Sequence, residues 1–100
     1  MKILWVSRHK VLSSQKRELR SIYSDDVDIR VYSKVFKDVK EIVNYYKRNK
    51  FDDIVIVAPL SVIKKMCELG IKPLWAEMHK GRFIKFKRIT DIKIEYEEGK

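Results

Sequence analysis

Two short polar segments hold both histidines of this chain, each beside basic groups. Ser7-Arg8-His9-Lys10 sets a hydroxyl, a guanidinium, an imidazole and an ammonium in succession, and His79-Lys80-Gly81-Arg82 presents a second imidazole between further basic groups. Arginine and lysine hold phosphate oxygens, arginine as a planar fork and lysine as a point charge. An imidazole moves a proton near neutral pH. The chemistry expected is therefore phosphate binding by Ser7, Arg8, Lys10, Ser61, Lys80 and Arg82, with His9 or His79 as acid or base if the ligand is also cleaved. A plainer reading uses the same residues: Arg8 and His9 brace a sheet edge against Glu77, and His79 is only a turn residue.

Other chemistries lack their spacing. After Val6 the chain reads Ser-Arg-His-Lys, with neither GxGxxG nor a Walker pattern, so no dinucleotide or ATP cofactor is expected. Two histidines and Glu77 offer no local ligand pair, and no metal is expected. The one cysteine, Cys67, falls several residues into a helix that leads away from the histidines, and it cannot form an internal disulfide.

The elements that must position these groups follow from hydrophobic patterning. Ile54-Val55-Ile56-Val57 is an unbroken β-branched run closed by Ala58-Pro59-Leu60-Ser61, and Ile3-Leu4-Trp5-Val6 is a second apolar run. Both read as interior strands covered on two faces. Val27 to Tyr32 alternates instead, which marks an edge strand with Val27, Ile29 and Val31 inward. Helices are expected from Ser13 or Ser14 to about Tyr23, with Leu12, Leu19, Ile22 and Tyr23 inward; from the Asp38 cap to about Asn49; and from a Ser61 cap to Gly70, with Val62, Ile63, Met66 and Leu69 on one face. Pro73 to Met78 reads as a fourth strand. Phe83 to Tyr96 reads as one bent or two short strands, with Ile84, Phe86, Ile92, Ile94 and Tyr96 on one side. Trp5 and Trp75 read as core, and Tyr46 faces inward by periodicity, which leaves few exposed rings for stacking on bases.

Strand, helix, strand, helix, strand, helix, strand and hairpin make one α/β domain over residues 1–100, a three-layer Rossmann- or flavodoxin-like sheet, mostly parallel, in the order 2-1-3-4 with an antiparallel C-terminal hairpin. In such a sheet ligands gather at the carboxyl ends of the strands, where the winding reverses between strands one and three. That edge receives Ser7 to Lys10, Pro59 to Ser61, Glu77, His79, Lys80 and Arg82, with Tyr32, Ser33 and Lys34 farther out.

Composition agrees with a phosphate-bearing partner. Lysine and arginine number 23 against 14 acids, a formal charge of +9, and residues 1 to 20 and 79 to 93 each carry six basic groups and one acid. A lysine- and isoleucine-rich chain with one glutamine and two asparagines also matches thermophile composition, in which part of the charge serves heat tolerance. The opening apolar run is too brief for a signal sequence, and a soluble, cytoplasmic protein with no membrane partner is expected.

Ile-Leu-Trp-Val-Ser-Arg-His at the start, Ala-Pro-Leu-Ser after the central run and Phe-Lys-Arg-Ile-Thr-Asp-Ile-Lys-Ile-Glu near the end resemble a group of small uncharacterised proteins of phages and archaeal mobile elements. The likeness covers nearly the whole chain and implies a Rossmann-like fold without an activity. At the level of layout alone, the chain also looks like the nucleotide-sensing domains of CRISPR-associated proteins and small viral proteins that degrade cyclic oligonucleotides. Three functions stay open: binding of a nucleotide or nucleic acid at the sheet edge, phosphodiester cleavage by His9 or His79, and a non-catalytic homodimer paired through the C-terminal strand.

Overall fold

The computed structural model describes residues 1–90 as a five-stranded sheet with three helices. In chain order the elements are β1 (Lys2–Val6), α1 (Ser13–Ile22), β2 (Asp28–Tyr32), α2 (Val39–Arg48), β3 (Asp53–Ile56), α3 (Leu60–Glu68), β4 (Leu74–His79) and β5 (Arg82–Arg88). The sheet order is β2-β1-β3-β4-β5; β1 pairs parallel with β2 and β3, β3 parallel with β4, and β4 antiparallel with β5. This is the α/β arrangement expected, with its antiparallel hairpin. The inward pattern expected for Ile92, Ile94 and Tyr96 lies outside the described residues.

The two apolar runs lie side by side at the centre because only there are both faces of a strand covered. Leu4, Val6, Ile54 and Ile56 pack with Ile42 and Val43 of α2 and Ile63 and Met66 of α3. Ile3, Trp5 and Val55 pack on the opposite face with Leu19 of α1. The layers are thus α1, the sheet, and α2 with α3.

Helix starts depart from expectation in two places. Helix α1 is capped from within: the Gln15 side-chain oxygen accepts from the Leu12 N–H at 2.9 Å, so Leu12 is the cap residue and Ser13 and Ser14 lie in the first turn. Gln15 therefore sits one turn before Leu19 on the buried face, 3% exposed, while Leu12 and Ile22 are largely exposed rather than inward. Helix α3 begins at Leu60, because the Pro59 carbonyl accepts from the N–H groups of Val62 and Ile63. Ser61 is an exposed first-turn residue and not the cap. At α2 the expected cap holds, the Asp38 carboxylate accepting from the Lys40 N–H at 2.9 Å.

The strands show two further differences. Val31 is 53% exposed, because the sheet face it shares with Ile29 lies at the outer strand and opens into a cleft beside α1. On β5 the register slips by one residue: Glu77 pairs with Lys85 but Met78 pairs with Phe83, leaving Ile84 as the extra residue of a β-bulge. The bulge resets the alternation, so Phe83 and Phe86 both reach the α1-side core while Ile84 is 53% exposed.

The opposite end of the sheet is fastened by charge. Arg88 holds both Asp53 carboxylate oxygens, at 2.8 and 2.6 Å, and donates to the Lys72 carbonyl, while the Tyr23 hydroxyl and the Ile54 N–H also donate to Asp53. One carboxylate thus joins the end of β5, the start of β3 and the residue that ends α1.

Candidate functional site

Because β1 to β4 are parallel, their carboxyl ends share one edge, and the segment leaving β1 there is Ser7 to Lys10. Its course is set by backbone and hydroxyl. The Ser7 N–H donates to the Tyr32 carbonyl at 3.2 Å, which carries the β1–β2 pairing one residue past the strand, and the Ser7 hydroxyl oxygen accepts from the His9 N–H at 3.1 Å. Ser7 is buried, so it shapes the bend, whereas Arg8, His9 and Lys10 are exposed above it.

Three clefts open around this bend, and His9 lines all of them. The largest, about 520 Å³, lies on the α2/α3 side between Arg8, Tyr32, Lys34, Phe36, Pro59 and Val62. A second, about 470 Å³, lies beside α1 above the outer strand, between Arg8, Lys10, Lys16, Ile29, Val31 and Ser33. A third, about 400 Å³, lies between α1 and the hairpin, walled by Trp5, Leu12, Gln15, Val57, Met78 and Gly81 and rimmed by Ser7, His9 and Lys10.

Two basic side chains, Arg8 and Lys34, line the first cleft. Among the described residues neither Arg8 nor Lys34 forms an ion pair. Pro59 lines the cleft at the start of α3, and no side chain caps that helix. With no side-chain cap, the positive end of the α3 dipole is left unscreened beside this cleft.

The remaining residues expected at the site are more scattered. His79 ends β4 and pairs with Arg82 across a two-residue turn in which Lys80 and Gly81 have φ of 49° and 77°. His79, Lys80, Arg82 and Ser61 line none of the three clefts; only Gly81 of that turn reaches one. Glu77 does not brace Arg8 or His9: its carboxylate binds Lys87 at 3.1 Å across the hairpin. Among the described residues no group of three His, Cys, Asp or Glu side chains could hold a metal ion. Cys67 packs against the α2/α3 core. Phe51 stacks with Tyr46 and lies tilted against Tyr45, and it is buried with the Lys2 ammonium 4.5 Å above its ring, so this basic aromatic stretch is internal packing.

Lys34, expected at this edge but farther out, lines the large cleft itself. Other participants carry no sequence signal of their own: Lys16, on α1, lines the second cleft. Gln15 and Trp5 look like helix surface and core in the sequence, yet both line the third cleft.

No family model, curated protein or solved structure matches this chain.

No helix among the described residues is long and apolar enough to cross a membrane.

Proposed function

We propose that this protein binds a phosphate-bearing ligand, a nucleotide or the end of a nucleic-acid strand, at the carboxyl edge of its parallel strands. The observation that supports this is the large cleft at the Ser7–Lys10 bend, in which Arg8 and Lys34 stand without ionic partners among the described residues, beside the uncapped start of α3. Arg8 grips the phosphate in forked fashion, Lys34 neutralises it from the β2 side, and the positive end of the α3 dipole at Pro59 adds to the field. Lys10 and Lys16, in the adjoining cleft, extend the positive field toward a second phosphate. Cleft volume favours a mononucleotide-sized ligand over a flat duplex surface.

Thermal shift and calorimetry with nucleoside mono- and triphosphates and short single-stranded oligonucleotides, at low salt, test the reading. A bound nucleotide raises the melting temperature with concentration, and Arg8→Ala weakens binding roughly tenfold, as loss of a charge-assisted contact does. No shift with any member of the panel, or a shift untouched by Arg8→Ala, overturns it.

The position of His9 in all three clefts favours a second reading, phosphodiester cleavage with His9 as acid or base. Turnover that survives His9→Ala would remove His9 from that role.

A further inference from the structure

The third cleft differs from the other two in what it leaves unmet. Trp5 is 1% exposed, and its indole Nε1–H is the buried side-chain group among the described residues that has no hydrogen-bond partner. On the same cleft wall, Gln15 is 3% exposed and spends its oxygen on the Leu12 N–H, so its Nε2 donates only toward the Met78 thioether, 3.7 Å away. Sulfur is a weak acceptor. Two buried side chains, each with a donor that meets no oxygen or nitrogen acceptor among the described residues, thus line a cavity of about 400 Å³ whose other walls include Leu12, Val57, Met78 and Gly81. Buried N–H groups in folded proteins are almost always paired, and an unpaired one calls for an explanation, of which a ligand acceptor is one. The partner must be apolar in body, since the walls are, and must carry acceptors, since donors are what the walls offer.

The rim says what else that partner carries. Ser7 and His9 line both this cleft and the large phosphate cleft, and Lys10 joins this rim to the basic cleft above β2. An apolar group lodged here has its polar continuation beside Arg8 and Lys10.

We propose that the cleft between α1 and the β4–β5 hairpin is the nucleobase pocket of this protein, in which ring nitrogens or carbonyl oxygens of a flat heterocycle accept from Trp5 Nε1–H and Gln15 Nε2. The proposal rests on the phosphate reading for the rest of the ligand, but the pocket has its own chemistry and can be tested without phosphate. The Met78 side chain at the mouth packs on the ring, as thioethers do on aromatic faces.

Calorimetry with four ribonucleosides, the corresponding nucleotides and inorganic tripolyphosphate separates the two halves. Gln15→Glu keeps the oxygen that caps α1 and replaces the donor with an acceptor; Met78→Phe narrows the mouth from a partly exposed position and guards against a folding defect in the first variant. The expected result is that at least one nucleoside binds without phosphate, that Gln15→Glu and Met78→Phe each weaken it tenfold or more, and that Arg8→Ala weakens the nucleotide but not the nucleoside. Nucleotides that bind through phosphate alone, displaced by tripolyphosphate and indifferent to Gln15→Glu and Met78→Phe, overturn the base pocket and leave the phosphate site standing. Nucleosides that bind as expected while Arg8→Ala leaves nucleotide affinity unchanged uphold the pocket and remove the phosphate reading. Absence of binding by any of the probes overturns both.

Discussion

Asp53 ties three elements of the fold together through one charged carboxylate. Burial alone would push its carboxyl up, but hydrogen bonds from Arg88, Tyr23 and the Ile54 N–H, together with the Arg88 charge, outweigh burial and hold it below the ordinary value of 3.8. A carboxyl depressed in the folded state contributes stability that is present above its unfolded value and lost as pH falls through the folded one. Urea unfolding should therefore show wild-type stability declining below about pH 4, the ordinary carboxylate range, and Asp53→Asn should flatten that decline. The same contact raises the Tyr23 hydroxyl, by burial first and then by its hydrogen bond to Asp53. A tyrosine raised in the folded state has the opposite sign: its contribution is complete below the ordinary value of 10.0 and is lost as pH climbs beyond it. Tyr23→Phe should remove the Tyr23 share of the alkaline decline, leaving that of Tyr46, which burial also raises, and should lessen the acidic decline, because one of the hydrogen bonds that depress Asp53 goes with the hydroxyl. Arg88→Met, which strands a half-buried carboxylate, should destabilise by about 1–3 kcal/mol, less than a fully buried pair because the Arg88 side chain is 41% exposed.

At the scale of elements, the hairpin is where backbone conformation decides most. Lys80 and Gly81 both have positive φ, the mirror-image turn whose twist suits paired strands, and only Gly81 adopts it without strain. Nothing lies within 4 Å of a Cβ built on Gly81, so Gly81→Ala meets no clash and its effect is conformational, about 1 kcal/mol of lost stability in thermal unfolding. Lys80→Asn should shift stability the other way by a few tenths of a kcal/mol, since asparagine tolerates that region better than lysine. The turn is legible in Lys80-Gly81, as the parallel centre is in two unalternating apolar runs and the α2 start in Asp38. The facing of β5 beyond the turn is not: a bulge adds one residue without any residue type that announces it, and so Ile84 and Phe83 exchange faces. Gln15 is unreadable for a related reason. A polar residue one turn from Leu19 looks like a solvent position until the cap it makes with Leu12 turns it inward. The edge that gathers the site comes from strand order alone, whereas the clefts at that edge depend on how far β2, α1 and the hairpin extend, which periodicity does not measure.

At the scale of the whole molecule, a charge of +9 attracts any polyanion, so affinity for nucleic acid at low salt does not by itself argue for a site. Location distinguishes the two. Arg8 and Lys34 line one cleft, while Lys40 and Lys47 are exposed on α2, outside all three clefts. Replacing either pair by glutamine removes two positive charges and weakens a diffuse field equally. If Arg8 and Lys34 hold phosphates directly, their double variant should lose roughly tenfold or more in affinity for a short single strand, and its plot of log K against log salt should flatten by about 1.4, about 0.7 for each phosphate contact released. The Lys40/Lys47 variant should keep both the affinity and the slope within a factor of about two, because neither lysine lines a cleft and so neither touches the phosphate held there. Equal losses from the two variants would assign the binding to net charge, and the cleft would then have no special claim on phosphate.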